Sequence, residues 1–200
     1  MLVEVGGIGV LLAGPSGAGK SECALELVAR GNRLVADDAV DLAREGDRVI
    51  GRAAPAIGPH LEIRGLGILC VTDLYGPGAY AESASVDLVC RLDPGRADFD
   101  RTGLERESEE ILGVAVPRVV LPASPGASLA TIVDAAARDH RQRRAGANTA
   151  ERFDARWRRA RKAAERPRSA SFAQRAEGER SPSGEAKPSE AGALAKDRPS

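Results

Sequence analysis

The stretch Gly14-Pro15-Ser16-Gly17-Ala18-Gly19-Lys20-Ser21 satisfies the pattern G-x-x-x-x-G-K-[ST] in full, and it stands between the apolar run GVLLA and a segment of helical periodicity. This pattern demands strand–turn–helix geometry, in which glycines let successive backbone N–H groups converge on an anion. The helix N-terminus adds partial positive charge at the same place. Lys20 would reach the outer phosphates as a point charge, and the Ser21 hydroxyl is placed to ligate Mg²⁺. Lys20 is also the only lysine before residue 162; the other Lys/Arg positions up to there are arginine. A guanidinium fork does not replace a compact ammonium at such a site, so the choice points to a chemical requirement. A P-loop leaves the acceptor unspecified.

Around this cradle the periodicity predicts an α/β fold. A buried strand ends at Ala13, and Ser21 to Arg30 has helical spacing closed by Gly31 as C′ residue. Residues 33–36 read as a second buried strand that ends at Asp37-Asp38. VDLAR and DRVIGRA flank Glu45-Gly46 as a hairpin, and HLEIRG, GILCV, VDLVCRL and PRVVLPA supply further strands. A helix is expected from Ser128, as N-cap, to about Arg144, and another from Thr149 to Lys162, capped by Asn148 or Thr149. From about Pro167 the chain is rich in Ser, Pro, Glu and Ala and loses its periodicity. The expected organisation is therefore a catalytic-size domain over 1–162 and a disordered tail over 163–200.

The paired acids at the end of LVADD are placed to assist a metal and to accept a hydroxyl proton. Adjacent strand residues point to opposite faces, so the strand end must bend if both act at one site. In LEIRG, Glu62 is a candidate Mg²⁺ ligand and Arg64 a candidate phosphate holder; a structural ion pair at a strand edge is the alternative.

Charge is uneven in a chain of formal net charge zero. Residues 1–137 carry 12 basic and 20 acidic side chains, whereas residues 138–168 carry 12 basic and 4 acidic ones. The basic block holds few aromatics and no recognised nucleic-acid motif, so no nucleic-acid partner is expected. It reads as a solvated helix face or as a docking face for an acidic protein, with Arg141, Arg143 and Arg144 at its start. Three cysteines without CxxC spacing, in apolar stretches, fit reduced, buried thiols. No stretch approaches the roughly 20 apolar residues that span a bilayer, and MLVEVGG lacks the basic start of a secretory signal. No membrane association and a cytoplasmic location are expected.

GPSGAGKSECALELVARGNRLVADDAV followed by PHLEIRGLGILCV closely resembles the C-terminal catalytic domain of the bacterial HPr kinase/phosphorylases, and the likeness continues through FDRTGL, EEILGV and the segment 116–153. The resemblance implies a P-loop kinase fold related to phosphoenolpyruvate carboxykinase, a strand-rich sheet with C-terminal helices, assembled as a hexamer. It implies ATP- or pyrophosphate-dependent phosphorylation of a serine on the carrier protein HPr or an HPr-like protein, and phosphorolysis of that phosphoserine. Gly14, Pro15, Ser16, Gly17, Ala18, Gly19, Lys20 and Ser21 match the nucleotide-binding residues, and Ser21 and Glu62 match the Mg²⁺ ligands. Asp37-Asp38 matches the pair that supplies the proton acceptor, a role assigned here to Asp38 without excluding Asp37. Arg101 matches the catalytic arginine, which would stabilise charge on the transferring phosphoryl group.

Three departures from the family pattern stand out. The family places a catalytic histidine in H-G-x-L-V-[DE]-V; Leu2-Val3-Glu4-Val5 match its end, so that histidine would fall two positions before Met1, and the upstream reading frame is expected to encode it. The family's R-P-G-R-N loop stands here as Ser124-Pro125-Gly126-Ala127-Ser128, without its arginines, so phosphorolysis is expected to be weak beside kinase activity. Cys70 occupies a position where the family has Asp or Asn, and nothing in the chain explains the exchange. Two other readings stay open on the residues: a nucleotide-binding regulatory module without chemistry, and a P-loop kinase for a small molecule.

Overall fold

Continuous apolar runs, rather than alternating ones, mark strands covered on both faces, and they form the centre of the molecule. The computed structural model describes residues 1–96, 102–104, 106–122 and 128–164. Two short strands, β1 (Leu2–Val5) and β2 (Ile8–Ala13), join through Gly6-Gly7 as an antiparallel hairpin where the apolar pattern had suggested one strand. The P-loop follows, then α1 (Lys20–Ala29) and β3 (Arg33–Ala36). The expected hairpin is β4 (Val40–Glu45) with β5 (Arg48–Ala53), and a second one is β6 (His60–Ile63) with β7 (Gly67–Cys70). The chain continues through α2 (Val71–Tyr75), a 3-10 turn at Pro77–Ala79, β8 (Ser83–Ser85), β9 (Leu88–Asp93), β10 (Glu107–Ile111) and β11 (Val114–Pro122). Helices α3 (Leu129–Arg144) and α4 (Thr149–Ala164) follow.

The central sheet has the order β10-β11-β9-β2-β1-β3. Strands β2, β9 and β11 run parallel, β1 runs antiparallel to both β2 and β3, and β3 is therefore parallel to β2. The carboxyl ends of β2, β3 and β9 consequently share one edge of the sheet, and the P-loop leaves from that edge. Along each strand successive side chains enter opposite layers. Val10, Leu12, Leu88, Cys90 and Leu92 pack with α1 and α3 through Leu27, Val28, Val133 and Ala137. Leu2, Val35 and Val89 face the other way, onto Val49 of the three-stranded sheet β4-β5-β8 and onto Val86 just after β8. The result is a helix layer, a six-stranded layer and a small sheet layer, an α/β arrangement as expected.

The helix ends follow local chemistry. Ser128 Oγ accepts the Thr131 N–H at 3.3 Å as N-cap of α3, and Asn148 Oδ1 accepts the Ala150 N–H at 3.1 Å at the start of α4. At the end of α1 the Gly31 N–H donates to Val28 O at 2.9 Å and the Asn32 N–H to Leu27 O at 3.1 Å, closing the helix on its C′ glycine. Residues 1–156 form one compact unit; the second, 157–200, includes among its described residues the last turns of α4. Among the described residues no helix is long and apolar enough to cross a membrane.

One expectation changes, and a second gains detail. Cys23 and Cys90 are buried and burial pushes both thiols up to about 12, but Cys70 is only half-buried, its Sγ 3.1 Å from Thr72 Oγ1. The arginines that end α3 serve the fold itself. Arg141 donates to Gly6 O at 3.0 Å, Arg144 to Asp87 Oδ1 at 2.8 Å, and Arg143 to Asp139 Oδ2 at 2.8 Å and Gly103 O at 2.7 Å. Asp139 also pairs with Arg106, so one carboxylate gathers two guanidinium groups around the 102–106 segment. Arg143 is half-buried while Arg141 and Arg144 stay exposed, so these cations tie three loops to α3 and two of them still face solvent.

Candidate functional site

An open cleft of about 600 Å³ lies at the carboxyl edge of the central sheet. Its floor is the P-loop. The turn begins at Gly14, where β2 passes close under the end of β9: a Cβ at this position would stand 2.8 Å from Leu92 O. Gly14 is thus required by close backbone approach, apart from any ligand. The turn ends at Gly19, in the left-handed region with φ 83°, and no side chain caps α1. The first-turn N–H groups of α1 are left for an anion.

Lys20, at the first position of α1, folds back so that its Nζ donates to Gly14 O at 3.0 Å and to Pro15 O at 2.8 Å. Those carbonyls hold the ammonium over the loop that would receive a phosphate. Gly14, Ser16, Gly17, Gly19, Lys20 and Ser21 line the cleft. Pro15 and Ala18 do not: Pro15 contributes its carbonyl, and Ala18 packs against the core.

The opposite wall comes from β3 and β6. Asp37 and Asp38 both reach the cleft, but the bend at the strand end gives them different surroundings. Asp37 is 8% exposed and its Oδ2 accepts the Glu62 backbone N–H at 3.0 Å. Burial raises its carboxyl above the ordinary range; the Glu62 N–H opposes that rise, and the charges of Asp38 and Glu62 add to it. Asp38 is exposed to the cleft. Glu62 and Arg64 project from the outer face of β6 and its turn into the same space, while Leu61 and Ile63 on the alternate face are buried. No ion pair forms between Glu62 and Arg64 among the described residues, so the structural pairing considered for them is not what holds them.

Two hydroxyls, Ser16 and Ser21, and four carboxylates, Glu22, Asp37, Asp38 and Glu62, line the cleft, all of them hard oxygen donors. Among the described residues no three His, Cys, Asp or Glu side chains come together closely enough to hold a metal ion by themselves. An open set of this kind fits Mg²⁺, which keeps waters and shares phosphate oxygens with one or two protein ligands.

Sequence reasoning overlooked Met1, Leu11 and Val40, which also line the cleft. Leu11 is a strand residue read only as core, and Val40 reaches the site because the chain turns after Asp38. Arg101 lies outside the described residues, as do Ser124 to Ala127.

A glycine-rich strand–turn–helix at the carboxyl edge of a twice-covered sheet, facing a wall of carboxylates, defines a P-loop phosphate-binding α/β domain. The chain belongs to the HPr serine kinase C-terminal domain family, whose model matches residues 1–157. It is 53% identical over 152 residues to an HPr kinase/phosphorylase of Caldanaerobacter subterraneus, covering 74% of this chain and 50% of that one. It is 49% identical over 160 residues to an HPr kinase/phosphorylase of Geobacillus thermodenitrificans, covering 78% and 52%. The chain thus spans about half the length of these curated relatives. A solved structure, the Hpr(Ser) kinase/phosphatase from Coxiella burnetii, superposes with a TM-score of 0.66 at 31% identity, covering 71% of this chain and 93% of that one. The resemblance read from GKSE, LVADD and EIRGLGI is borne out, and with it the fold.

Proposed function

We propose that this chain is an ATP- and Mg²⁺-dependent protein kinase domain that phosphorylates a serine of the phosphocarrier HPr or an HPr-like protein. The observation that carries the reading is the single cleft in which the uncapped start of α1, Lys20 and Ser21 face Asp37, Asp38 and Glu62. The family membership and the names of the relatives support the acceptor.

In this mechanism the P-loop backbone, Gly14 to Ser21, wraps the nucleotide phosphates, every residue but Pro15 offering an N–H, and Lys20 exchanges its carbonyl partners for outer phosphate oxygens. Ser21 and Glu62 would hold Mg²⁺, whose charge offsets that of the phosphates. The acceptor serine attacks the γ-phosphorus, ADP leaves, and the serine proton passes to Asp38, the exposed member of the acidic pair. Asp37 acts as a post, fixing the β6 backbone so that Glu62 faces the cradle. Arg101 is assigned to the transferring phosphoryl group from the family pattern alone. In the reverse direction inorganic phosphate attacks the phosphoserine, pyrophosphate forms, and Asp38 returns the proton; this activity is proposed to be weak, because Ser124 and Ala127 replace arginines. Pyrophosphate as an alternative donor, a hexameric assembly, a cytoplasmic setting and a catalytic unit spanning 1–162 belong to the same proposal.

Incubating the protein with Mg-ATP and HPr, and reading phosphoserine by mass spectrometry, tests it. Transfer to one serine is expected. ATP binding without transfer to HPr would overturn the reading in favour of a regulatory module, and transfer to a small metabolite would replace the acceptor.

A further inference from the structure

The β6–β7 ribbon has two unlike faces. Leu61 and Ile63 turn inward to the core, and Leu69 packs against it. On the other face Glu62 pairs across the ribbon with Ile68, so the two side chains stand side by side. Ile68 is 75% exposed, and Leu66, at the tip, is 70% exposed. Glu62 and Arg64 line the phosphate cleft; Leu66 and Ile68 do not. A nucleotide that fills the cleft therefore leaves both apolar side chains in water. The tip is a tight turn: Gly65 and Gly67 adopt φ 90° and 88°, and the Leu66 N–H donates to Ile63 O at 3.0 Å. A turn displaying two large apolar groups between polar flanks has the anatomy of an interface centre with its rim.

We infer that Leu66 and Ile68 form the docking shoulder for the protein acceptor, a folded protein that presents apolar side chains beside its reactive serine. The inference rests on the proposed kinase reading. The continuity of the shoulder with the cleft selects the acceptor as the occupant. Whatever covers Ile68 lies next to the Glu62 carboxylate, where the phosphoryl group is transferred. A second copy of this chain seated there permanently would block the path of a protein serine. Apolar contact at this point would also exclude water from the reacting centre as the acceptor arrives.

The test uses the full chain with Leu66→Ser and Ile68→Ser, singly and together, and Leu112→Asn as a control at an exposed leucine of the β10–β11 turn. The double variant should raise the KM for HPr at least about tenfold, equivalent to about 1.4 kcal/mol, with kcat at saturation and ATP affinity unchanged. Leu112→Asn should leave all three alone. An unchanged KM in the double variant overturns the inference while leaving the kinase reading intact. So does a fall in solution mass by light scattering, which would give the shoulder to a second copy. Failure of the parent protein to phosphorylate HPr, read before any variant, overturns the kinase reading and this inference with it.

Discussion

The carboxylate of Asp37 accepts the backbone N–H of Glu62 at 3.0 Å, joining the end of β3 to β6 across 25 residues of chain. Through this one bond the acid that lines the cleft from β6 takes its position from the acid pair at the end of β3. It also explains a charge placed where burial disfavours it: the carboxyl is held there as an acceptor.

The first prediction concerns pH. Burial raises the folded-state pKa of Asp37. The stability this group contributes is therefore complete below its unfolded value, near 4, and is lost as pH rises through the folded value. Asp37→Asn keeps an acceptor oxygen and removes the charge. It should melt above the parent at neutral pH, with the difference shrinking toward about pH 4. A melting series across that range reads it; a constant difference would show that the titration of Asp37 is not involved. Asp37→Ala, which abolishes the acceptor, should lower stability by about 1 kcal/mol.

Among the described residues Lys20 hydrogen-bonds to Gly14 O and Pro15 O alone. Lys20→Ala should thus leave the unfolding midpoint nearly unchanged while lowering transfer by about 100-fold or more. Parallel denaturation and phosphorylation assays separate the two effects. A large loss of stability would instead assign Lys20 to holding the loop together.

At Gly14 steric closeness dominates. A methyl group would stand 2.8 Å from Leu92 O, a backbone atom with little freedom to retreat. Gly14→Ala should cost about 1–3 kcal/mol and weaken nucleotide binding with it, measurable by urea unfolding and calorimetry.

The arginines of α3 divide by their partners. Arg143, bound to Asp139 and Gly103 O, has a side chain 16% exposed, whereas Arg138, paired among the described residues with Asp134 of its own helix, has one 63% exposed. Arg143→Glu should destabilise by about 1–3 kcal/mol, and Arg138→Glu should leave the urea midpoint unchanged. Equal effects would return the basic block to a uniform solvated face.

What was readable in advance followed contiguity. The P-loop, the Ser128 cap, the Gly31 stop and the β4–β5 turn are decided by residues within a few positions of one another, and each stands as expected. Strand β10 escaped notice because Glu107–Ile111 reads ESEEI, with no apolar alternation. Its partners supply the reason for it: Glu109 pairs with Arg91 at 3.0 Å and Glu107 pairs with Arg118, as suits a charged edge strand. GILCV looked like one strand, yet β7 ends at Cys70 and Val71 opens α2.

The amino-acid order alone determined the phosphate cradle, the strand-and-helix inventory around it and the family, because glycine conformations, caps and apolar periodicity act over neighbouring residues. Tertiary structure decided how the functional groups divide. Identical neighbours Asp37 and Asp38 became a buried post and an exposed acid, since only one of them meets the β6 backbone. Three arginines of one helix end became clamps on Gly6, Gly103 and Asp87. Ile68 came to stand beside Glu62 through cross-strand register. These outcomes depend on hydrogen bonds and strand pairings made in folded space, and no local propensity along the chain encodes which distant group a side chain will meet.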